Sequence, residues 1–194
     1  MVDTVNTLEL MIPKMRQQMH LKKIHSLDTV YDLINENGKY FSIKDLDFFF
    51  AKLGIYLKSQ EVTELLNHCQ HSKTQIDLVR MAELFKTDVP KDIVQTLEAI
   101  FYKLSGGQQT ILVENLLKHL NESEHPQVDL MGKNIQKVHA SVLKGLKSII
   151  GNNNEIKLEE FLEFHFNIFW TLPDYCYEDF KNKIYLMWGV RQSK

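Results

Sequence analysis

The sequence predicts an all-α fold made of four helix-loop-helix units. Three observations predict it: a low content of Gly and Pro, apolar residues at helical spacing, and a short motif that recurs four times. The chain of 194 residues contains eight Gly and four Pro. Because these residues mark turns and interrupt regular elements, their scarcity favours long helices over many strands.

The recurring motif is two mostly polar residues followed by an isoleucine, with a large apolar residue five positions further on. A repeat with steps of a few tens of residues indicates repeated supersecondary units. An apolar, β-branched residue suits a short buried segment between two helices. The isoleucines are Ile43, Ile76, Ile111 and Ile156, and the later apolar residues are Phe48, Met81, Leu116 and Phe161.

Both flanks of each isoleucine have apolar residues at the spacing of an amphipathic helix. The third unit shows the pattern clearly, with Leu97, Ile100, Phe101 and Leu104 before its isoleucine and Val113, Leu116, Leu117 and Leu120 after it. The fourth unit is less regular. Each unit is therefore predicted as a helix, a short loop with one buried β-branched residue, and a second helix.

Pro90 predicts the boundary between two lobes. Proline disfavours helix at the preceding residue and suits the first turn of the next helix. The predicted domains are an N-terminal arm over residues 1–23, one pair of units over 24–88 and a second pair over 89–194. A polar insertion over 121–134 lengthens the second pair, and residues 180–188 form a C-terminal helix.

This arrangement is typical of paired EF-hands. In such a pair, the eighth residue of each loop forms a short bridge to its partner loop and packs between four helices. Ile43 is then expected opposite Ile76, and Ile111 opposite Ile156. The fold prediction is therefore all-α with two EF-hand-like lobes, and the alternative is a generic helical bundle with coincidental isoleucine spacing.

Several short motifs, in their order along residues 27–188, point to one family. They are Ala51-Lys52-Leu53-Gly54, His125-Pro126-Gln127-Val128, Leu158-Glu159-Glu160-Phe161 and the closing helix. With these motifs the chain resembles the calcyphosin family of EF-hand proteins. The resemblance implies two EF-hand pairs in a calcium-binding, non-enzymatic protein.

The calcium ligands of that family are mostly missing. An EF-hand loop needs oxygen ligands at positions 1, 3, 5 and 12, and Gly at position 6. With each isoleucine taken as the eighth position, the second loop places Lys73 and Arg80 where a cation should be bound. The third loop has no carboxylate at these positions, and the first loop has Tyr40 and Phe41 at its centre.

The fourth loop keeps a few candidate ligands, although it begins with an apolar residue. These are Asn153, Glu155 and Glu160, the last of which is at the position of the bidentate ligand. The alternative is that this segment forms a polar turn without a bound metal, since glycine and asparagine are favoured in turns. We therefore expect no cofactor, with calcium bound at most weakly.

The sequence favours a non-enzymatic protein. It contains no Gly-rich phosphate loop, nucleophile elbow or metalloprotease motif. The closest group of metal-binding side chains is His68, Cys69 and His71, which fits either a soft metal or the end of a helix.

Aromatic residues near the C-terminus form one candidate partner-binding surface. Grooves between paired helices bind amphipathic helices. Residues 164–170 are apolar on more than one helical face, which a small lobe cannot fully bury. The candidates are Phe164, Phe169, Trp170 and Trp188. The alternative is that the C-terminal helix fills its own groove.

Basic residues of the N-terminal arm form the second candidate surface. They lie among methionines, which adapt to varied binding surfaces, and Pro13 is expected to break or start a helix there. The candidates are Lys14, Arg16, Lys22 and Lys23. They could bind an acidic polymer such as tubulin, and a helix folded back on its own lobe is the alternative.

Charge, apolar runs and cysteine number limit the partners and the compartment that fit this sequence. The net charge of −2 and the isoelectric point near 6.4 do not fit a general nucleic-acid binder. No apolar run approaches the roughly 20 residues that span a bilayer. Two cysteines, Cys69 and Cys176, do not make a disulfide framework and fit a reducing compartment.

The sequence therefore predicts a calcium-independent structural or adaptor protein within a larger assembly. Family analogy favours the ciliary axoneme, with attachment to doublet microtubules through tubulin or axonemal proteins, and hence the cytoplasm and cytoskeleton. One alternative is a calcium-binding regulatory protein that uses the fourth hand only. Another is an accessory subunit of a different large complex, for example a mitochondrial one.

Overall fold

A computed structural model describes residues 7–22, 24, 40–42, 50–51, 54–72, 75–86, 88–130 and 132–190. These residues are mostly helical, as the repeat predicts, and short strands form two small antiparallel sheets between the helices. The chain divides into two compact units. Unit 1 is Met1–Thr87 with Trp170–Asp174, and unit 2 is Asp88–Phe169 with Tyr175–Lys194.

Unit 1 contains three described helices and three strands. They are α1 (Thr7–Leu21), β1 (Tyr40–Ser42), α2 (Ser59–Cys69), β2 (Gln70–Ser72), β3 (Gln75–Asp77) and α3 (Leu78–Glu83). Its core draws on each of the helices α1, α2 and α3 and on β3, with Met11, Met15, Met19, Leu65, Cys69, Ile76, Met81 and Phe85 all buried. The predicted arm is therefore a packed helix of this unit, the alternative that the sequence left open.

Helix α1 continues through Pro13, so the expected break at this proline is wrong. Pro13 lies on the exposed side of the helix, where the backbone carbonyl that loses its amide donor can bond to water. The opposite side buries the three methionines Met11, Met15 and Met19 against α2 and the rest of the core. Burial of this apolar stripe outweighs the local preference of proline.

The three strands of unit 1 are arranged in the order β1-β3-β2. Phe41 lies opposite Ile76 in the antiparallel register of β1 and β3. The expected pairing of Ile43 with Ile76 is therefore wrong, because Phe41 holds that place in the ladder. Ile43 itself lies outside the described residues. The strand β2, which also pairs with β3, has no counterpart in the prediction.

Unit 2 repeats a helix-strand-helix pattern twice. Its elements are α4 (Lys91–Ser105), β4 (Thr110–Leu112), α5 (Val113–Lys118), α6 (Pro126–Asp129), α7 (Val138–Ile150), β5 (Glu155–Lys157), α8 (Leu158–Phe169) and α9 (Tyr177–Met187). Short 3₁₀ turns at Glu122–Glu124 and Ile135–Lys137 complete its connections, and a third, Asp174–Cys176, begins with the last residue of unit 1 and continues into unit 2. Helix α8 packs against α4 and α7, and α9 packs against α4 and α6.

A two-stranded ladder joins the two halves of unit 2. In it Ile111 lies opposite Ile156, the pairing that the repeat predicts. Both side chains are buried, with 6% and 0% of their surface exposed. The backbone amide of Val113 also donates to the carbonyl of Asn154 across 2.9 Å.

We expect Ile156→Ala to lower the free energy of unfolding by about 2–5 kcal/mol, since it opens a cavity in a closed core. Leu112→Ala is the matched control, because Leu112 is in the partner strand and 40% exposed. The control should change the free energy by less than about 0.5 kcal/mol. Urea unfolding followed by circular dichroism measures both, and equal effects would contradict the pairing as a core contact.

Candidate functional site

The fourth loop turns the chain between α7 and β5 by means of its own backbone. Helix α7 ends at the buried Ile150, and Gly151 follows with a φ of 61°, a conformation that glycine adopts without strain. The amide of Asn153 then donates to the carbonyl of Ile150 across 3.2 Å. The turn therefore has internal hydrogen bonds that require no cation.

The predicted metal ligands lie around one shallow depression of about 320 Å³. Asn153 and Glu155 are exposed on its rim, while Glu160 is half-buried. The depression is also lined by Lys157, whose ammonium group opposes a divalent cation. The structure thus brings the three candidates together, but with a positive side chain among them.

Glu160 already has a structural role in this loop. Its Oε2 accepts a hydrogen bond of 2.7 Å from the backbone amide of Lys157 at the start of α8. Such a bond satisfies an amide that the helix itself leaves without a partner. Calcium takes six to eight oxygen ligands, and Asn153, Glu155 and Glu160 supply a small part of that number.

The second loop holds its candidate side chains apart. Cys69 is fully buried, and this burial raises the pKa of its thiol to about 11, with the carboxylate of Asp77 adding to the shift. His68 and His71 are exposed, so the two imidazoles and the thiol do not face one site. Among the described residues, no group of three His, Cys, Asp or Glu side chains could hold a metal ion.

A carboxylate in the second loop, which was not among the predicted residues, stabilises the helix that follows. The carboxylate of Asp77 caps α3 by accepting from the amides of Val79 and Arg80 across 2.9 and 3.2 Å. The side chain of Arg80 is exposed. Lys73 lies outside the described residues.

Three of the four aromatic residues that the sequence predicts at a partner-binding surface are buried in unit 2. Phe164, Phe169 and Trp188 are at most 3% exposed, so the expectation that they meet a partner is wrong for this structure. Phe180, Ile184 and Met187 of α9 are buried as well, which agrees with the alternative that the C-terminal helix packs on its own lobe. Trp170, which belongs to unit 1, is half-buried with the ammonium of Lys86 5.4 Å from its ring centre.

A buried histidine fixes the end of α9 to α8. The indole Nε1–H of Trp188 donates to Nε2 of His165 across 2.9 Å. Because an indole nitrogen can only donate, Nε2 is unprotonated and the hydrogen of the neutral imidazole is on Nδ1. Nδ1 donates to the carbonyl of Phe161 across 2.7 Å.

His165 is not among the site residues that the sequence predicts. The available signal was its place inside the apolar run of α8, since a histidine there must be buried with partners for both ring nitrogens. Burial lowers the pKa of His165 to about 4, and the bond to the Phe161 carbonyl offsets part of the effect. The imidazole therefore remains neutral at physiological pH.

The basic residues of α1 do not form a common binding surface. Lys14 forms an ion pair with Glu61 at 3.0 Å. Arg16 is 3% exposed, donates to the carbonyl of Phe85 across 2.7 Å and lies 3.6 Å from the carboxylate of Asp174. Its predicted role at a partner surface is therefore wrong for this structure. Lys22 is exposed, and Lys23 lies outside the described residues.

No protein-family model and no curated protein matches this chain. The resemblance to the calcyphosin family therefore remains a proposal from the sequence. Within the described part of the chain, the helices are too short or too polar to cross a membrane.

We expect the protein to lose stability as the pH falls from about 6.5 towards 4. The pKa of His165 is about 4 in the folded state against 6.5 for a free histidine, so only the unfolded chain binds the proton in this range. The loss should reach about 3 kcal/mol near pH 4. Thermal unfolding at stepped pH measures it.

His165→Gln should flatten this pH dependence, because glutamine can accept from Trp188 and does not titrate. His139→Gln is the control, since His139 is an exposed histidine of the same unit that contacts Glu122. An equal flattening in both variants would exclude His165 as the origin of the pH dependence.

Proposed function

We propose that the protein is a calcium-independent structural or adaptor protein with two EF-hand-like lobes, and that it acts within a larger assembly. The observation that carries this proposal is the fourth loop. Its turn has internal backbone bonds, and the carboxylate that would bind calcium caps a helix instead.

The pairing in unit 2 supports the EF-hand-like architecture. Two helix-strand-helix segments are joined by an antiparallel ladder with Ile111 opposite Ile156. In paired EF-hands the loop residues at this position form the same kind of bridge. For unit 1 the support is only that β1 and β3 form an antiparallel pair, because Phe41 and not the predicted Ile43 lies opposite Ile76.

The electrostatics of the loops support calcium independence. A bound divalent cation needs several carboxylates whose negative charge offsets the cost of removing its water. The depression of the fourth loop is lined by two acidic residues, Glu155 and Glu160, and by the basic residue Lys157. In the second loop the carboxylate of Asp77 is engaged in capping α3.

A calcium-binding regulatory protein is the second candidate function. It is favoured by one observation, the convergence of Asn153, Glu155 and Glu160 on a single depression. To bind calcium, Glu160 would have to share or release its bond to the amide of Lys157. That exchange costs one capping interaction, typically about 1 kcal/mol.

For the assembly itself we propose the ciliary axoneme, with tubulin or axonemal proteins as partners and a cytoplasmic, cytoskeletal location. This part rests on the resemblance of the sequence to the calcyphosin family, which is an analogy at the level of fold and motif. We further propose that the protein is not an enzyme, since its described loops use their polar side chains for capping and turns.

Calorimetric titration with calcium should give no submillimolar binding heat for the wild-type protein. Glu160→Gln removes the bidentate candidate, and Glu159→Gln is the matched control one residue earlier. A clear submillimolar heat that disappears in Glu160→Gln and persists in Glu159→Gln would establish the regulatory function instead.

Affinity purification of the tagged full-length protein from ciliated cells should enrich tubulin and axonemal proteins, with equal recovery in calcium and in a calcium chelator. Mass spectrometry measures the enrichment. Recovery of respiratory-chain subunits would favour the alternative of an accessory subunit in mitochondria, and dependence on calcium would contradict the adaptor proposal.

A further inference from the structure

Helix α7 presents a row of exposed lysines on one face. Lys137, at the end of the preceding 3₁₀ turn, and Lys144 and Lys147 are all exposed. With 3.6 residues per turn and a rise of 1.5 Å per residue, they fall within an arc of roughly 80° and a length of roughly 15 Å. The three ammonium groups therefore share one side of the helix.

The orientation of this face is fixed by the core. The opposite side of α7 buries Val138, Val142, Leu146 and Ile150, and the helix packs against α8. Rotation of α7 would expose these apolar side chains, which costs free energy in proportion to their area. The lysine face is thus held towards solvent by the packing on its other side.

The insertion over residues 121–134 holds a further ammonium group beside this face. The Nζ of Lys133 donates to Oε1 of Gln127 across 2.8 Å and also to the hydroxyl of Ser141 on α7. Gln127 is itself 4% exposed. The insertion therefore adds a positive charge to the face at a defined place.

The face has little negative charge of its own. Helix α7 contains no Asp or Glu. By contrast, two lysines of α9 are matched by carboxylates: Lys181 by Asp92 and Glu178, and Lys183 by Glu124 and Asp129. Lys144 has an interaction within the protein, so Lys137 and Lys147 carry most of the positive charge that this face presents.

We propose that this face of α7 binds an acidic polypeptide segment, a run of Glu or Asp on a partner protein. The proposal rests on the structural or adaptor function above and specifies the chemistry of its partner. The side chains between the lysines are small, with Ala140 and Ser148 exposed, so an extended chain can approach the helix closely. An extended chain advances about 3.3 Å per residue, and several carboxylates therefore match the length of the lysine row.

The same features disfavour the other anionic partners. Nucleic-acid surfaces combine lysines with arginines and stacking aromatics, and the lysine face has neither. Membrane-binding helices place several large apolar residues beside their lysines, whereas this face is bordered by Ala140, Ser141 and Ser148 and by one half-buried leucine, Leu143. An acidic polypeptide requires only that the surface it binds is positively charged and has small side chains between the charges.

Fluorescence anisotropy of a labelled oligoglutamate peptide tests the proposal on the full-length protein. The peptide should bind in about 50 mM salt and should release in about 500 mM salt, because screening weakens exposed ion pairs. The variant with Lys137→Gln, Lys144→Gln and Lys147→Gln should bind about tenfold more weakly, the sum of several small pair energies.

The control variant has Lys91→Gln, Lys103→Gln and Lys118→Gln, which removes the same charge from other exposed positions of unit 2. It should bind within about twofold of the wild type, as expected for charges outside the contact. No binding by the wild type, or an equal loss in both variants, would overturn the proposal. If the first variant loses helicity by circular dichroism, Lys147→Gln alone should still weaken binding by about two- to threefold, and no weakening would overturn it.

Separate titrations identify the source of the anionic ligand and keep the two proposals distinct. The protein is also titrated with an oligouridylate RNA and with phosphatidylserine vesicles. If either binds more tightly than the peptide, and the α7 variant loses that binding, the ligand of this face is the RNA or the lipid and not an acidic polypeptide. All titrations are run in a calcium chelator and again with calcium. Peptide binding that requires calcium would contradict the proposed function, whereas failure to bind in either condition would contradict only the α7 face.

Discussion

The contact between Ile111 and Ile156 is the interaction on which unit 2 depends. It joins two helix-strand-helix segments through a ladder of three residue pairs, with both side chains buried between the surrounding helices. Full burial of such a side chain contributes about 1.5–3 kcal/mol. This free energy comes from the burial of apolar area. The ladder also places the capping bond of Glu160. Strand β5 ends at Lys157 and α8 begins at the next residue, so the amide of Lys157 lies at the helix start, where Glu160 can accept from it.

The bond between Trp188 and His165 closes the same unit from its other end. It occupies both ring nitrogens of a fully buried imidazole and covers the aromatic side chains of α8 with α9. These aromatic side chains are therefore covered by the chain itself. The lysine face of α7 is one of the surfaces that unit 2 leaves exposed.

Much of unit 2 could be predicted from sequence because its helices are amphipathic and its repeat is nearly regular. The isoleucine pair and the C-terminal helix follow from spacing alone. Unit 1 was harder to predict: helix α1 crosses Pro13 because distant core contacts with Met11, Met15 and Met19 outweigh a local rule. Phe41 lies opposite Ile76, whereas the sequence predicts Ile43 there because each isoleucine is taken as the eighth residue of a loop of equal length. The cap of Glu160 had a local signal, its spacing of three residues from Lys157, whereas the bonds of His165 and Lys133 depend on tertiary packing.

The methionine core of α1 has a chemical consequence of its own. The thioethers of Met11, Met15 and Met19 are at most 1% exposed, so an oxidant in solution reaches them only while the helix is detached. Oxidation to the sulfoxide turns each into a polar group that the closed core does not accommodate. Sulfoxide accumulation therefore reports how often this helix opens. A helix oxidised during one such opening lacks the apolar surface needed to return, which makes the damage to unit 1 persistent until the sulfur is reduced.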